Sequence, residues 1–397
     1  MSTHLVLGAG MQGTAAAYDL IQHGGATRLV LVDSSEERLE AARTRLEALT
    51  GFPGLEARRI DVAGPDGPLR AAFEEADLCM NCLPYRFSVA MTRLALDTGT
   101  HLADLGGNTA VVREQLAMAA AHPRGGEVAI LPDCGLMPGM GNVFIGHAVR
   151  ELGDCASVRV RCGGLPTEPR GPLDYELIFN VYGLINEYFG RAQVLRDGEL
   201  AELDTFTELE DVAIDFARHG LTQRDCEAFI TSGGLSTTPW TFAGRIGELD
   251  YKTVRYRGHH ERFKLLVDLG LLDEDAVDVV PSRDDLAPAR VAPRDVLAGC
   301  LERTLTYPDT VDLAFLRCTA TATSGATLEL EMFDVRDEAT GFTAMERTTA
   351  YSATACLVGV PAGKVTVGGG PIETAVDSAW YLDALAERGI EVRVTRG

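Results

Sequence analysis

Six residues near the start constrain this chain more than any others: Gly8-Ala9-Gly10-Met11-Gln12-Gly13, set between a β-rich run at 4–7 and a helical stretch at 11–23. Glycines at this spacing, between strand and helix, have separate tasks. Gly8 makes the tight turn, Gly10 lets a bound group approach the backbone, and Gly13 lets the helix pack closely on the strand. The helix N-terminus then offers free N–H groups and a positive dipole end to phosphates. The loop, with Met11 and Gln12 on it, reads as a dinucleotide pyrophosphate site. Asp33 ends the next β-rich run, 20 residues after Gly13. A carboxylate there accepts hydrogen bonds from ribose hydroxyls and repels a 2′-phosphate. Ser34, Ser35, Glu36 and Glu37 follow, with Arg38 one turn on, so the expected cofactor is NAD rather than NADP.

Up to residue 131 the chain alternates strand and helix. Strands are expected at 4–7, 28–32, 56–60, 77–82, 100–103 and 127–131, and helices at 11–23, 35–48, 66–75, 86–98 and 110–121. This alternation implies a doubly wound parallel sheet covered on both faces, an α/β Rossmann domain. Ligands of such sheets meet the carboxyl ends of the strands. That nominates Asp61 near the adenine, Asn81-Cys82-Leu83-Pro84 beside the nicotinamide, and Asp104-Leu105-Gly106-Gly107 beyond it. Asp61 reads equally well as a cap or a solvated loop acid.

The alternation breaks at Pro132-Asp133-Cys134-Gly135-Leu136-Met137-Pro138-Gly139. Hairpin turns at 196–199 and 323–326 follow, the second flanked by alternating runs at 311–322 and 326–335. A mixed α+β domain over 132–342 fits. Residues 343–358 look helical, and 371–397 add a helix and a final strand at 390–394. This tail is too short for a core of its own, so 343–397 is expected to pack back on 1–131. Pro288 and Pro293 flank an expected surface loop.

Composition excludes more than it identifies. A formal charge of −22 disfavours nucleic acid, whose phosphates want Lys and Arg. No apolar run approaches a membrane span, and no signal-like segment opens the chain, so the cytoplasm is the expected location. Nine cysteines are read as reduced thiols, and the lone Cys79-x-x-Cys82 lies in an apolar run. No metal is expected.

The segments Asp133-Cys134-Gly135-Leu136-Met137-Pro138-Gly139-Met140, Gly163-Gly164-Leu165-Pro166, Pro172-Leu173-Asp174-Tyr175, Ser232-Gly233-Gly234 and Tyr251-Lys252-Thr253-Val254-Arg255-Tyr256-Arg257-Gly258-His259 resemble the saccharopine dehydrogenase-like family. Within it they are most similar to the L-lysine 6-dehydrogenases. The resemblance implies a homodimer whose second domain carries the substrate pocket and the dimer contacts. It implies NAD-dependent oxidative deamination at the ε-carbon of L-lysine, giving 2-aminoadipate 6-semialdehyde and ammonia.

That chemistry asks for specific groups. An ammonium must lose a proton before its carbon gives up hydride, so a base or a desolvated site is needed. Asp133, at the hinge between domains, is one candidate base, with a helix cap as the equal alternative. His259, just past Gly258, is a second candidate, with a structural histidine equally open. Arg255 and Arg257 alternate on an expected strand, and at least one is expected to clamp the substrate carboxylate; the alternative is a pair of solvated cations. Asp174 and Tyr175 are expected to line the pocket, Asp174 against the α-ammonium. His259-His260-Glu261 lacks the second histidine of a zinc motif, since Lys264 stands there. The alternative substrate is saccharopine, whose extra carboxylates need cations such as Arg159, Arg161 or Arg170. An alternative of another class is a non-catalytic NAD-binding sensor.

Overall fold

The computed structural model describes residues 2–64, 66–280, 282–283, 285, 287–368 and 370–397. It begins with β1 (Thr3–Leu7), α1 (Met11–His23), β2 (Arg28–Asp33), α2 (Glu36–Thr50), β3 (Leu55–Arg59), α3 (Asp66–Glu74), β4 (Leu78–Asn81), α4 (Ser88–Thr98), β5 (His101–Asp104), α5 (Thr109–Ala121) and β6 (Ile130–Leu131). All six strands are parallel, in the order β3-β2-β1-β4-β5-β6. The order reverses between β1 and β4, which opens a crevice at their carboxyl ends. Short Val/Leu-rich strands suit burial on both faces, and Leu5, Val6, Leu7, Val30, Leu31 and Val32 are all buried. Ser35 caps α2 by accepting from the Arg38 N–H, and Asn108 caps α5 by accepting from Ala110 and Val111.

The second unit contains α6 (Met140–Leu152), β7 (Cys155–Pro166), α7 (Val181–Glu187), β8 (Arg191–Arg196), β9 (Glu199–Asp204), β10 (Glu210–Val212), β11 (Cys226–Ile230), α8 (Thr238–Thr241), β12 (Ile246–Tyr256), α9 (His259–Asp268), β13 (Val277–Val279), β14 (Ala289–Val291), α10 (Pro293–Leu305), β15 (Asp312–Ala322) and β16 (Thr327–Val335). The tail adds α11 (Ala344–Gly359), α12 (Ile372–Ala375), α13 (Ser378–Glu387) and β17 (Val392–Arg396). The main sheet runs β10-β11-β12-β7-β15-β16-β17, with the β8–β9 hairpin attached to β12. The chain is thus α/β, a parallel Rossmann sheet joined to a mixed-sheet unit. Both hairpin turns form where the sequence places them. Asp197 and Gly198 both take positive φ in the first, the geometry of a two-residue turn.

Two expectations need correction. The stretch between Pro288 and Pro293 contains β14, paired with β13, rather than only a loop. The tail does not pack on the first unit alone. Helix α11 does lie against α1, β4 and β5, but it also touches β15, and β17 pairs with β16 in the second sheet. The reason is composition. Helix α11 carries small side chains nearly all round and is buried on most sides, so it can sit between two sheets. Its residues Ala350, Ala353, Ala355 and Cys356 belong to one continuous core with Val6 and Leu31 on one side and Val160 and Leu316 on the other.

Candidate functional site

The glycine loop has the shape its spacing requires. Gly8 has φ +96°, and a Cβ on Gly13 would stand 1.7 Å from the Gly8 carbonyl oxygen. A Cβ on Gly10 would meet nothing within 4 Å. Space therefore lies open where a pyrophosphate would approach, and Gly10, which caps α1, has no side chain to satisfy the first-turn N–H groups. The loop fits a dinucleotide. Asp33 is buried and organises the loop, accepting from the Ala9 N–H and the Ser35 N–H. Arg38 comes within 4.0 Å of it. Met11 is exposed, and Gln12 donates to the Met345 carbonyl of α11. Asp61 sits in an exposed turn after β3, where it accepts from the Ala63 N–H.

A cleft of about 740 Å³ lies beyond the carboxyl ends of β4 and β5, against the second unit. Cys82, Leu83, Pro84, Leu105 and Gly106 line it, as does Asp133. Asn81 and Asp104 stand just behind this wall. Asn81 accepts from the Leu83 N–H, and Asp104 accepts from Gly106, from the Asp133 N–H and from Gln115. Both shape the wall rather than facing the cleft. Burial raises the Asp104 carboxyl, with these donors pulling the other way.

Asp133 has φ 59° and is 4% exposed. Its Oδ2 accepts from the Ser236 hydroxyl, while its Oδ1 has no partner among the described residues. Burial pushes its pKa up to about 8, against the Ser236 bond, with the nearby Asp104 and Glu373 carboxyls adding to the rise. Opposite, α7 brings Glu187 to the cleft, a residue the sequence reading did not nominate. Its side chain keeps 28% of its surface and lies 3.6 Å from the Arg255 guanidinium. Burial pushes it up to about 7, with Arg255 pulling it down. Arg86, Asn180, Tyr182, Tyr251 and Arg294 complete the lining that matters here. Arg294 is already bonded to Asn186 at 2.5 Å and paired with Glu274.

The structure does not bring the remaining candidates to the cleft. His259 is fully buried, its Nε2 at 3.0 Å from the Tyr188 hydroxyl and its Nδ1 at 3.0 Å from the Leu173 carbonyl. Burial, aided by Arg255, holds it at about 3, and it stands away from the cleft, as the structural alternative expects. Arg255 is 2% exposed; it donates to the Tyr188 hydroxyl and lies 4.8 Å over the Tyr175 ring. It holds Glu187 from behind instead of meeting a substrate carboxylate. Arg257 falls past the end of β12 and pairs with Asp211 and Asp225 at the surface. Asp174 pairs with Arg262 at 2.6 Å, away from the cleft, and Tyr175 is sealed in the core beneath Arg255. Arg161 and Arg170 are bound to acids elsewhere, and neither they nor Arg159 line the cleft. Among the described residues, no group of three or more His, Cys, Asp or Glu could hold a metal, and no helix is long and apolar enough to cross a membrane.

Two family models match the chain. One, described as the saccharopine dehydrogenase NADP binding domain, covers residues 4–130; the other, the saccharopine dehydrogenase C-terminal domain, covers 135–390. A saccharopine dehydrogenase (NADP(+), L-glutamate-forming) of Schizosaccharomyces pombe is 26% identical over 249 residues, 59% of this chain and 53% of that protein. Its namesake in Saccharomyces cerevisiae is 24% identical over 242 residues, 59% of this chain and 52% of that protein. The chain spans about half the length of these curated relatives. Among solved structures, apo saccharopine dehydrogenase (L-Glu forming) from Saccharomyces cerevisiae superposes with a TM-score of 0.75 at 18% identity, covering 100% of both chains. A homospermidine synthase from Legionella pneumophila in complex with NAD gives 0.68 at 11% identity, covering 100% of this chain and 91% of that one. At these identities the structural likeness is one of fold.

Proposed function

Because the chain belongs to the saccharopine dehydrogenase family, we propose that it is a nicotinamide-nucleotide-dependent oxidoreductase acting on the carbon–nitrogen bond of an amino-acid amine, with saccharopine as substrate. The carrying observation is the Asp133 carboxyl, buried at the cleft with one oxygen unpartnered and a pKa near 8. An acid tuned to that range can take the proton an amine must lose before oxidation. The bound dinucleotide would supply the hydride acceptor. Glu187, anchored by Arg255, holds the positive charge of the amine and of the iminium that replaces it. Water then adds to the iminium carbon, its two protons pass to the departing nitrogen, and aldehyde and ammonium separate, which leaves on Asp133 the one proton taken from the amine.

Saccharopine is favoured over L-lysine by the names of the curated relatives and by a cation in the cleft wall, Arg86. Deamination of L-lysine at the ε-carbon is the second reading, supported by the paired acids Asp133 and Glu187, which suit a small cationic amine. For the cofactor, Asp33 supports NAD; Arg38 beside it and the relatives' names support NADP. We propose NAD, and a homodimer as the assembly. The test incubates the protein with NAD or NADP and either saccharopine or L-lysine, following the absorbance of reduced nicotinamide. Reduction with saccharopine supports the proposal. Reduction with L-lysine alone moves the assignment to the second reading, and none under any combination overturns both.

A further inference from the structure

The main cleft is not the only space at this site. A second cavity, of about 360 Å³, lies beside it. The two share walls at Gly107, Asn108, Thr109, Ser232, Gly233, Gly234 and Tyr251. One hydrogen bond links a residue of each. Asp133 lines the main cleft and not the second cavity, whereas Ser236 lines the second cavity and not the main cleft. The Ser236 hydroxyl donates to Asp133 Oδ2.

We propose that Ser236 is a proton relay, carrying protons between Asp133 in the substrate cleft and water in the second cavity. This rests on the reading that Asp133 handles the amine proton. An amine filling the main cleft displaces the water there, yet Asp133 must be discharged before the next turnover. Its route is the other side. The amine N–H bond breaks as an O–H bond forms on the carboxyl. A carboxyl proton passes to Ser236 Oγ while the Ser236 O–H proton leaves to a water of the second cavity. Each O–H bond broken is matched by one formed, and Asp133 is again a carboxylate.

The loop is built to hold this hydroxyl. Ser236 has φ 45°, a left-handed conformation that a side-chain-bearing residue adopts only when its surroundings impose it. The surroundings here are specific. Asn142 Nδ2 and the Thr238 hydroxyl both donate to the Leu235 carbonyl. The Thr237 and Thr241 hydroxyls both donate to Glu373 Oε1, which pins the loop to α12. The second cavity is polar enough for water, with Asn186, Arg191, Gln193 and Thr231 in its lining. The charged groups facing Asp133 are Asp104 from the end of β5 and Glu373 from α12, with Glu187, Arg86 and Arg294 across the cleft.

The test is Ser236→Gly, which removes the hydroxyl and relaxes the left-handed backbone, with Ser236→Ala beside it. With the substrate that reduces the cofactor, kcat is expected to fall about 10- to 100-fold with KM within about twofold. The pKa seen in the kcat profile should move upward, because Asp133 loses the bond that lowers it. Rising concentrations of a small buffer such as imidazole should restore kcat. Carbon NMR titration of Asp133 in the resting protein gives the same pKa shift without turnover. An unchanged kcat and titration, or a loss indifferent to buffer, overturns the relay. Asp133→Asn is assayed alongside: full activity in it sinks the reading of Asp133, whereas an inactive Asp133→Asn with a normal Ser236→Gly sinks the relay alone.

Discussion

A carboxyl whose native pKa is about 8 binds its proton far more tightly than the same residue in an unfolded chain. The sign follows by linkage. The contribution to stability is whole below the ordinary carboxylate range and is lost as pH rises from there through about 8. Asp133→Asn removes this titration while keeping a group that accepts from Ser236. At about pH 9 the variant should be more stable than the parent by roughly 1–3 kcal/mol, a burial cost discounted for relaxation. At about pH 5 the difference should shrink, as thermal denaturation at both values will read. Amine oxidation should fall by about 10²- to 10⁴-fold in the same variant. Glu187→Gln should instead raise KM for the amine by about tenfold, through lost charge attraction. Asp133 was legible in the sequence because it ends the Rossmann alternation at a hinge. Glu187 was not: it sits on the short helix α7 with no motif around it, and it matters only because Arg255, far along the chain, stands behind it. The same distance hid where Arg255, His259 and Tyr175 lie, buried behind the cleft wall. These three side chains build a buried polar cluster there.

At the scale of elements, the first unit was legible almost throughout. Period and turn residues act locally there, and β1 to β5 and α1 to α5 fall within a few residues of their expected limits. Strand β6 is shorter than expected, two residues rather than five, since only Ile130 and Leu131 reach β5. The glycine loop supports a contrast that separates folding from binding. Gly13→Ala puts a methyl 1.7 Å from the Gly8 carbonyl, so α1 must shift and the unit should lose on the order of 2–4 kcal/mol. Gly10→Ala meets no protein atom within 4 Å and has an ordinary backbone, φ −79°. It should leave the melting temperature nearly unchanged yet weaken dinucleotide binding by about tenfold or more, because the methyl fills the space the phosphates need. Melting curves and titration of cofactor fluorescence check both halves. Equal losses in the two variants would mean that the open space at Gly10 is not the phosphate site.

Across the whole molecule, the tail touches both units. What a strand pairs with depends on which edge is free, and no local pattern announced that β17 would extend the sheet at β16. Just before β17, Arg388 is 6% exposed and donates to Asp19 Oδ2 at 2.9 Å, while Thr354 of α11 donates to the same oxygen. Asp19 lies on α1, the helix that opens at the glycine loop. One buried ion pair therefore joins the end of the chain to the dinucleotide-binding unit, and β17 joins the same end to the second sheet. Burial raises the Asp19 carboxyl, against the pull of Arg388. Arg388→Ala leaves that carboxyl buried without its cation, at a cost of about 3–5 kcal/mol. Because α11 and β17 share one core with both sheets, the loss should not be confined to the tail. Denaturation monitored by dinucleotide binding and by far-ultraviolet circular dichroism should give a single coincident transition, lowered as a whole in the variant. Two separated transitions in the parent protein would show that the tail fastens the units only loosely. Replacing the pair together, Asp19→Asn with Arg388→Met, should recover much of the loss, since neither charge is then left alone in the core.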